Sequence, residues 1–138
     1  MKTDFDLNTT LFQTLNGNVA LKSALTGGVY KRQRPLNSTK EDVVINTIAV
    51  SMTSTPQQAR SNVNIYVKDL DVVIDGLAQK QPNDARMKAL ADLAITAIKG
   101  IKIDGISVFV SQMGNFEERD IYQHFVNLRV DWHIHTKS

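Results

Sequence analysis

Hydrophobic residues recur at helical spacing near the start of the chain. Leu7, Leu11 and Leu15 follow one another at intervals of four residues, which predicts an amphipathic helix over residues 6–16. Asp6 is placed to cap this helix at its amino end. A helix near the start of the chain is therefore expected to bury one leucine face.

Two further segments have helical patterns. The segment Val19–Leu25 predicts a short second helix, which Gly27 and Gly28 would stop. Residues 83–99 predict the longest helix of the chain. Its apolar stripe consists of Met87, Leu90, Ala91, Ala94 and Ile98. A stripe of this width is typical of a helix that covers one face of a sheet.

Four segments have the pattern of strands, at residues 42–51, 60–68, 106–113 and 121–135. The second and fourth alternate apolar and polar residues, so each should have one buried and one wet face. Their expected inward residues are Val63, Ile65, Val67, Val126, Leu128, Val130, Trp132 and Ile134. The first strand has apolar residues on both faces, which predicts burial on both sides or an interface on one.

The segments between these elements are harder to interpret. Residues 52–58 and 114–120 are polar and predict a loop and a connection. Residues 69–82 allow either a small hairpin that turns at Asp75 and Gly76 or an irregular excursion.

Together these patterns predict one α+β domain spanning residues 1–138. We expect an antiparallel sheet of four strands, or slightly more, with the main helix packed on one face and a further N-terminal helix. The length suits a domain with its own core, and 42% hydrophobic with 22% charged residues is an ordinary globular composition. The sequence has no apolar run long enough to span a membrane, and its start does not look like a secretory signal.

Charge is concentrated in one stretch, GGVYKRQRPLNSTK at residues 27–40. It holds Lys31, Arg32, Arg34 and Lys40 without an acidic residue, whereas the whole chain has a net charge of +2. The stretch could be a solvated loop, a protein contact or a contact with DNA phosphates. Since Tyr30 is its only aromatic residue, base stacking is not expected, and any DNA contact would be with the backbone.

The sequence offers little catalytic chemistry. The absence of cysteine excludes thiolate ligands and cysteine nucleophiles, and no phosphate-binding loop or nucleophile elbow is present. His133 and His135 lie on one side of a strand and could reach one metal ion, with Asp131 as a further ligand. Histidines on the wet face of a strand are usually solvated, so we expect no metal, no cofactor and no enzyme activity.

The order of elements resembles the tail-completion or tail-terminator family of long-tailed bacteriophages. The resemblance begins in LFQTLNGNVALKSALTGGVYKRQRP, with its amphipathic helix, Leu21 and Leu25, the Gly28–Tyr30 element and Pro35. It continues through the strands DVVINTIAVS and NVNIYVKD, the helix at residues 84–99, and the strands ISVFVSQMG and YQHFVNLRVDWHIHT. It covers nearly the whole chain as a pattern of elements, without a single diagnostic motif. The polar LNSTKED before the first long strand and the length of residues 69–82 depart from the family pattern.

The resemblance implies a structural role. Such proteins form a homo-hexameric ring that caps the finished tail tube and joins it to the head-completion proteins, with the genome passing through the centre. They belong to the virion tail or neck and assemble in the cytoplasm of the bacterial host. On this interpretation Val44, Ile48 and Val50 would lie at the subunit interface, and the four basic residues would face DNA or a partner.

Two other functions stay open at the level of sequence. One is another small head–tail connector or neck protein, which would also be non-enzymatic. The other is a small nucleic-acid-binding module that uses the basic loop at residues 31–40. Binding by such a module would weaken steeply with salt.

Overall fold

The computed structural model describes residues 2–53 and 55–135. In these residues the helices are α1 (Asp4–Asn16), α2 (Val19–Ala24) and α3 (Asp84–Lys99). The strands are β1 (Val29–Lys31), β2 (Val43–Val50), β3 (Gln57–Lys68), β4 (Leu70–Ile74), β5 (Leu77–Gln81), β6 (Ile106–Glu118) and β7 (Gln123–Ile134). None of these helices has the length and hydropathy needed to cross a bilayer.

The described strands form a sheet of five in the order β1-β2-β3-β7-β6, and β4 and β5 pair separately. Helices α1 and α3 pack on one face of this sheet, which we call the inner face, and the opposite face is the outer face. The predicted α+β class, with one main helix on one sheet face and an N-terminal helix, is confirmed. The main sheet has one strand more than the minimum of four.

The additional strand is β1. Residues 29–31, which the sequence pattern assigns to the basic loop, pair in parallel with the start of β2, and Val29 lies opposite Val43. Val29 is buried in the core, so its burial and the main-chain hydrogen bonds to β2 together outweigh the polar character of the residues that follow. The sheet is therefore mixed, although every other neighbouring pair in it is antiparallel.

Two predicted strand boundaries are wrong. Residues 114–120 are mostly strand, because β6 continues to Glu118 in register with β7, and a 3-10 turn at Arg119–Ile121 makes the connection. Strand β3 begins at Gln57, inside the predicted loop, because it pairs with the full length of β7. In both cases the pairing partner, which a local pattern does not contain, extends the strand.

The cap of α1 also differs from the prediction. Thr3, rather than Asp6, is the N-cap, and the two residues form a reciprocal capping box. The Asp6 carboxylate accepts from the Thr3 backbone N–H at 2.8 Å, and this hydrogen bond lowers the pKa of Asp6. The helix therefore begins two residues before the predicted start.

The core lies between the inner face and helices α1 and α3. The predicted leucine face of α1, the stripe of α3 and the inward residues of β3 and β7 all belong to this one cluster. Trp132 is its largest fully buried side chain. Burial of this kind supplies most of the favourable free energy of folding.

A chain of buried polar groups crosses this core. The Trp132 indole N–H donates to Ser61 Oγ at 3.0 Å, and Ser61 lies 2.7 Å from Thr47 Oγ1. Thr47 in turn donates to Asn8 Oδ1 at 2.8 Å. Since the Thr47 hydroxyl has one proton and gives it to Asn8, Ser61 must donate to Thr47. The chain ties α1 to β2, β3 and β7 and fixes their relative positions.

Ser61→Ala should destabilise the fold, because it leaves the buried Trp132 N–H without its acceptor. We expect the free energy of unfolding to fall by about 2 kcal/mol, measured by chemical denaturation. The control is Ser61→Ala in a Trp132→Phe background, where there is no N–H to satisfy and the same change should cost less. Equal costs in the two backgrounds would show that the indole hydrogen bond does not contribute.

Candidate functional site

Because residues 29–31 form β1, the basic loop in the structure is residues 32–40. It crosses the outer face near the carboxyl end of β3, where Arg34 contacts Tyr66 and Gln123. Asp42 holds it there. The Asp42 carboxylate accepts from the Gly28 backbone N–H at 3.1 Å, from Arg34 Nη1 at 3.3 Å and from the Ser38 hydroxyl. Gly27 is needed beside it, because a Cβ at that position would collide with the Asp42 side chain.

Arg34 points into the protein. Its side chain is 12% exposed, and that of its ion-pair partner Asp42 is 1% exposed. Arg34 Nη2 donates to Gln123 Oε1 at 2.7 Å, and the guanidinium carbon lies 3.8 Å from the centre of the Tyr66 ring. Burial raises the pKa of Tyr66, while the nearby Arg34 charge acts against that rise. Arg34 therefore fastens the basic loop to β3 and β7.

The other three basic residues are exposed. The Lys31 side chain contacts α1: its Nζ donates to Thr9 Oγ1 at 2.9 Å and lies 5.3 Å from the centre of the Phe12 ring. Arg32 has a positive φ of 67°, which turns the chain as it leaves β1. Arg32 and Lys40 thus supply most of the accessible charge of the basic loop.

Acidic residues next in the sequence reduce this charge. Glu41 and Asp42 follow Lys40 directly, so residues 27–42 carry four basic and two acidic groups and a net charge of +2. Glu41 binds Arg86 at the start of α3 through two contacts, of 2.6 Å and 2.8 Å. The hydrogen bond to Glu41 raises the pKa of Arg86 further.

The three residues assigned to a subunit interface lie in different environments. Val44 points to the outer face but is buried within the chain. Val50 packs against the inner core. Ile48 is 52% exposed and is the extra residue of a β-bulge between Thr47 and Ala49. Of the three, Ile48 is the side chain available to a partner.

The two candidate metal ligands are not brought together with a third. His133 lies on the outer face with its ring 5.7 Å from that of Phe109, and Asp131 beside it binds Arg60 at 3.0 Å. His135 is exposed just after β7. Within residues 2–53 and 55–135 no group of three His, Asp or Glu side chains is arranged to hold a metal ion.

A cleft of about 490 Å³ lies on the outer face, at the end opposite the basic loop. Ile48, Arg60, Arg129 and His133 are among its lining residues. Arg129 Nη1 donates to Gln112 at 3.3 Å, whereas its Nε is buried without a hydrogen-bond partner among the described residues. We call this feature the outer cleft. Sequence alternation indicates that these residues share a face, but not that a bulge brings Ile48 to them.

A separate hairpin follows β3. Strands β4 and β5 pair with each other, with Ile74 opposite Leu77, and the predicted turn at Asp75 and Gly76 is present. This resolves residues 69–82 in favour of a hairpin. Its base is held by Asp69, whose carboxylate lies 2.6 Å from His124 Nδ1, and by Lys80, whose Nζ lies 5.4 Å from the centre of the Tyr122 ring.

No family model matches this chain, and no curated protein matches it. Its structure is similar to that of a solved chain from the virion of a native gene transfer agent particle. The TM-score is 0.58, the sequences are 14% identical, and the likeness covers 93% of each chain. At this level of identity the likeness shows a shared fold over nearly the whole chain.

Arg34→Ala should destabilise the protein by about 3 kcal/mol, because it leaves the buried Asp42 carboxylate without its cation. Arg32→Ala is the matched control, because it removes an exposed arginine of the same loop and should change stability by less than about 0.5 kcal/mol. Thermal and chemical denaturation of both variants measure the difference. Equal stability of the two would contradict the clamping role of Arg34.

Proposed function

We propose that this chain is a structural, non-enzymatic virion protein of the tail-terminator type. Several copies would form a ring that caps the tail tube and joins it to the head-completion proteins. The observation that carries the proposal is the fold shared over 93% of both chains with a chain from a gene transfer agent virion. The order of elements, which resembles the phage tail-terminator family, independently supports it.

The surfaces of the chain suit such a role. The outer face is not covered by a helix among the described elements, and Ile48 and Phe109 are exposed there. The β4–β5 hairpin adds further exposed apolar side chains. Exposed apolar groups of this kind are typical of protein–protein contact surfaces. A subunit that buries them against neighbours would gain free energy on assembly.

Ring formation is testable with purified protein and tail tubes. We expect light scattering to detect six-chain particles, or a monomer that becomes a ring when tubes are added. Negative-stain images should then show the protein at tube ends, with tube length held constant. A protein that stays monomeric and leaves tube length unregulated would contradict the proposal. A ring that binds the head side and not tube ends would indicate a neck or connector protein.

The basic loop has a narrower proposed role within that ring. Arg32 and Lys40 from each copy would form a circle of positive charge that meets the DNA backbone or an acidic partner surface. We do not propose that the loop recognises base sequence, because the Arg34 side chain is bound to Asp42 within the fold and is not available to contact bases.

Reversing both charges with Arg32→Glu and Lys40→Glu should leave the fold intact, because both side chains are exposed. If the loop meets DNA, the variant should bind duplex DNA more weakly and with a smaller salt dependence than the wild type. Fluorescence anisotropy at several salt concentrations measures both. Unchanged binding, with a loss of virion assembly, would assign the loop to a protein partner. Unchanged binding and assembly would leave it a solvated loop.

A further inference from the structure

The β4–β5 hairpin stands apart from the core. It pairs with itself rather than with the main sheet, and its turn places Asp75 and Gly76 at positive φ of 51° and 78°. Such a turn matches the twist of two paired strands, which makes the hairpin well formed locally. A two-stranded hairpin alone is nevertheless marginally stable in water, so additional contacts are needed to hold its outer half.

The tip of this hairpin is apolar on both sides. Val73 is 71% exposed and Leu77 is 66% exposed, and these residues belong to different cross-strand pairs, on opposite faces. Asp75 adds an exposed carboxylate at the turn itself. A partner for this tip must therefore offer apolar contacts together with a cation.

The outer cleft has this chemistry. Ile48 supplies apolar surface at the bulge, and Phe109 flanks the cleft beside His133. The Arg60 charge is paired with Asp131. Arg129, by contrast, lines the cleft with no carboxylate partner among the described residues, its Nη1 donating only to Gln112 at 3.3 Å, and carboxylates are preferred partners of arginine N–H groups.

We propose that the hairpin tip of one copy of this chain docks in the outer cleft of a second copy. Leu77 or Val73 would contact Ile48, and the Asp75 carboxylate would approach Arg129. The proposal rests on the proposed function only in requiring that copies assemble. One chain carries both complementary surfaces, an apolar tip with a carboxylate and an apolar cleft with an arginine charge.

The hairpin and the outer cleft lie apart along β3. The hairpin begins after Lys68 at one end of β3, while the outer cleft lies at Arg60, eight residues earlier in the same strand. Among the described residues, none from the hairpin lines the cleft of its own chain, so the proposed contact joins two copies. The contact is head-to-tail, and each copy has one tip and one cleft.

Cysteine cross-linking tests this contact, because the natural chain has no cysteine. A chain with Leu77→Cys and Ile48→Cys should give a ladder of cross-linked species on a non-reducing gel after mild oxidation. Reducing agent should abolish the ladder. Either single variant alone should stay monomeric on the gel. Dimers from Leu77→Cys alone would indicate a hairpin-to-hairpin contact and overturn the proposal.

A second pair controls for random collision. Val19 on α2 is 81% exposed and lies outside the proposed contact, so Leu77→Cys with Val19→Cys should give little product. Equal yields from the two pairs would overturn the proposal. If the protein caps tubes as a ring but the chain with Leu77→Cys and Ile48→Cys gives no cross-linked ladder, the docking mode is wrong while the proposed function stands. A wild-type protein that is monomeric both free and on tubes overturns both.

The polar part of the contact has its own test. Asp75→Asn removes the charge but keeps a residue that suits the turn, because Asn-Gly is favoured there. We expect it to weaken self-association about two- to fivefold in sedimentation experiments, as for an exposed ion pair. Arg129→Gln should have a similar effect, and the double variant should be no weaker than the single ones. Additive losses, or no loss from Asp75→Asn, would contradict the pairing of Asp75 with Arg129.

Discussion

The buried carboxylate of Asp42 is the interaction on which the arrangement of the outer face depends. It lies at the start of β2 and accepts hydrogen bonds from a backbone N–H before β1, from Arg34 and from Ser38. An isolated carboxylate would be costly to bury, so these partners are as necessary to Asp42 as it is to them. Because they come from the segment on either side of β1, one side chain holds the basic loop on the outer face. The loop then covers one end of that face and leaves the other end, with the outer cleft, open.

The inner face is held by a different device, the polar chain from Trp132 to Asn8. It runs through a core that is otherwise apolar, and each of its members has a partner. A fully satisfied buried network rigidifies the elements it joins. Here it fixes β2 against β3 and β7, and the bulge at Ile48 directly follows Thr47 in β2. The position of Ile48 on the outer side is therefore set by hydrogen bonds on the inner side.

Much of the fold follows from local patterns, because helices and strands that bury one face repeat their apolar residues at the matching period. The leucines of α1, the stripe of α3 and the alternation in β3 and β7 are examples. The sequence-based predictions fail where a strand forms, or is extended, because it pairs with another strand that is distant in the sequence. β1 exists because β2 offers an edge, and β6 continues to Glu118 because β7 pairs with it. The same holds for the site. Sequence gives Arg32 and Arg34 equal weight, but Asp42, Gln123 and Tyr66, brought near by the fold, draw only Arg34 inward.

A head-to-tail contact does not by itself make a ring, since copies joined in this way can also continue as a helical filament. Which of the two results depends on how firmly the contact fixes the angle between neighbours. The tip of the hairpin is exposed, whereas its base is attached to β7 and the turn before it. There the Asp69 side chain contacts His124, and the Asp69 backbone N–H donates to the Tyr122 carbonyl at 3.0 Å. Tyr122 itself has a positive φ of 53°, a backbone conformation that leaves little freedom to a residue of its size. Because the base is attached to the sheet, the orientation of the hairpin tip relative to the sheet is fixed. In the proposed contact, the angle between copies would be set by the β3–β7 end of the sheet, and closure into a ring would be a property of the subunit fold.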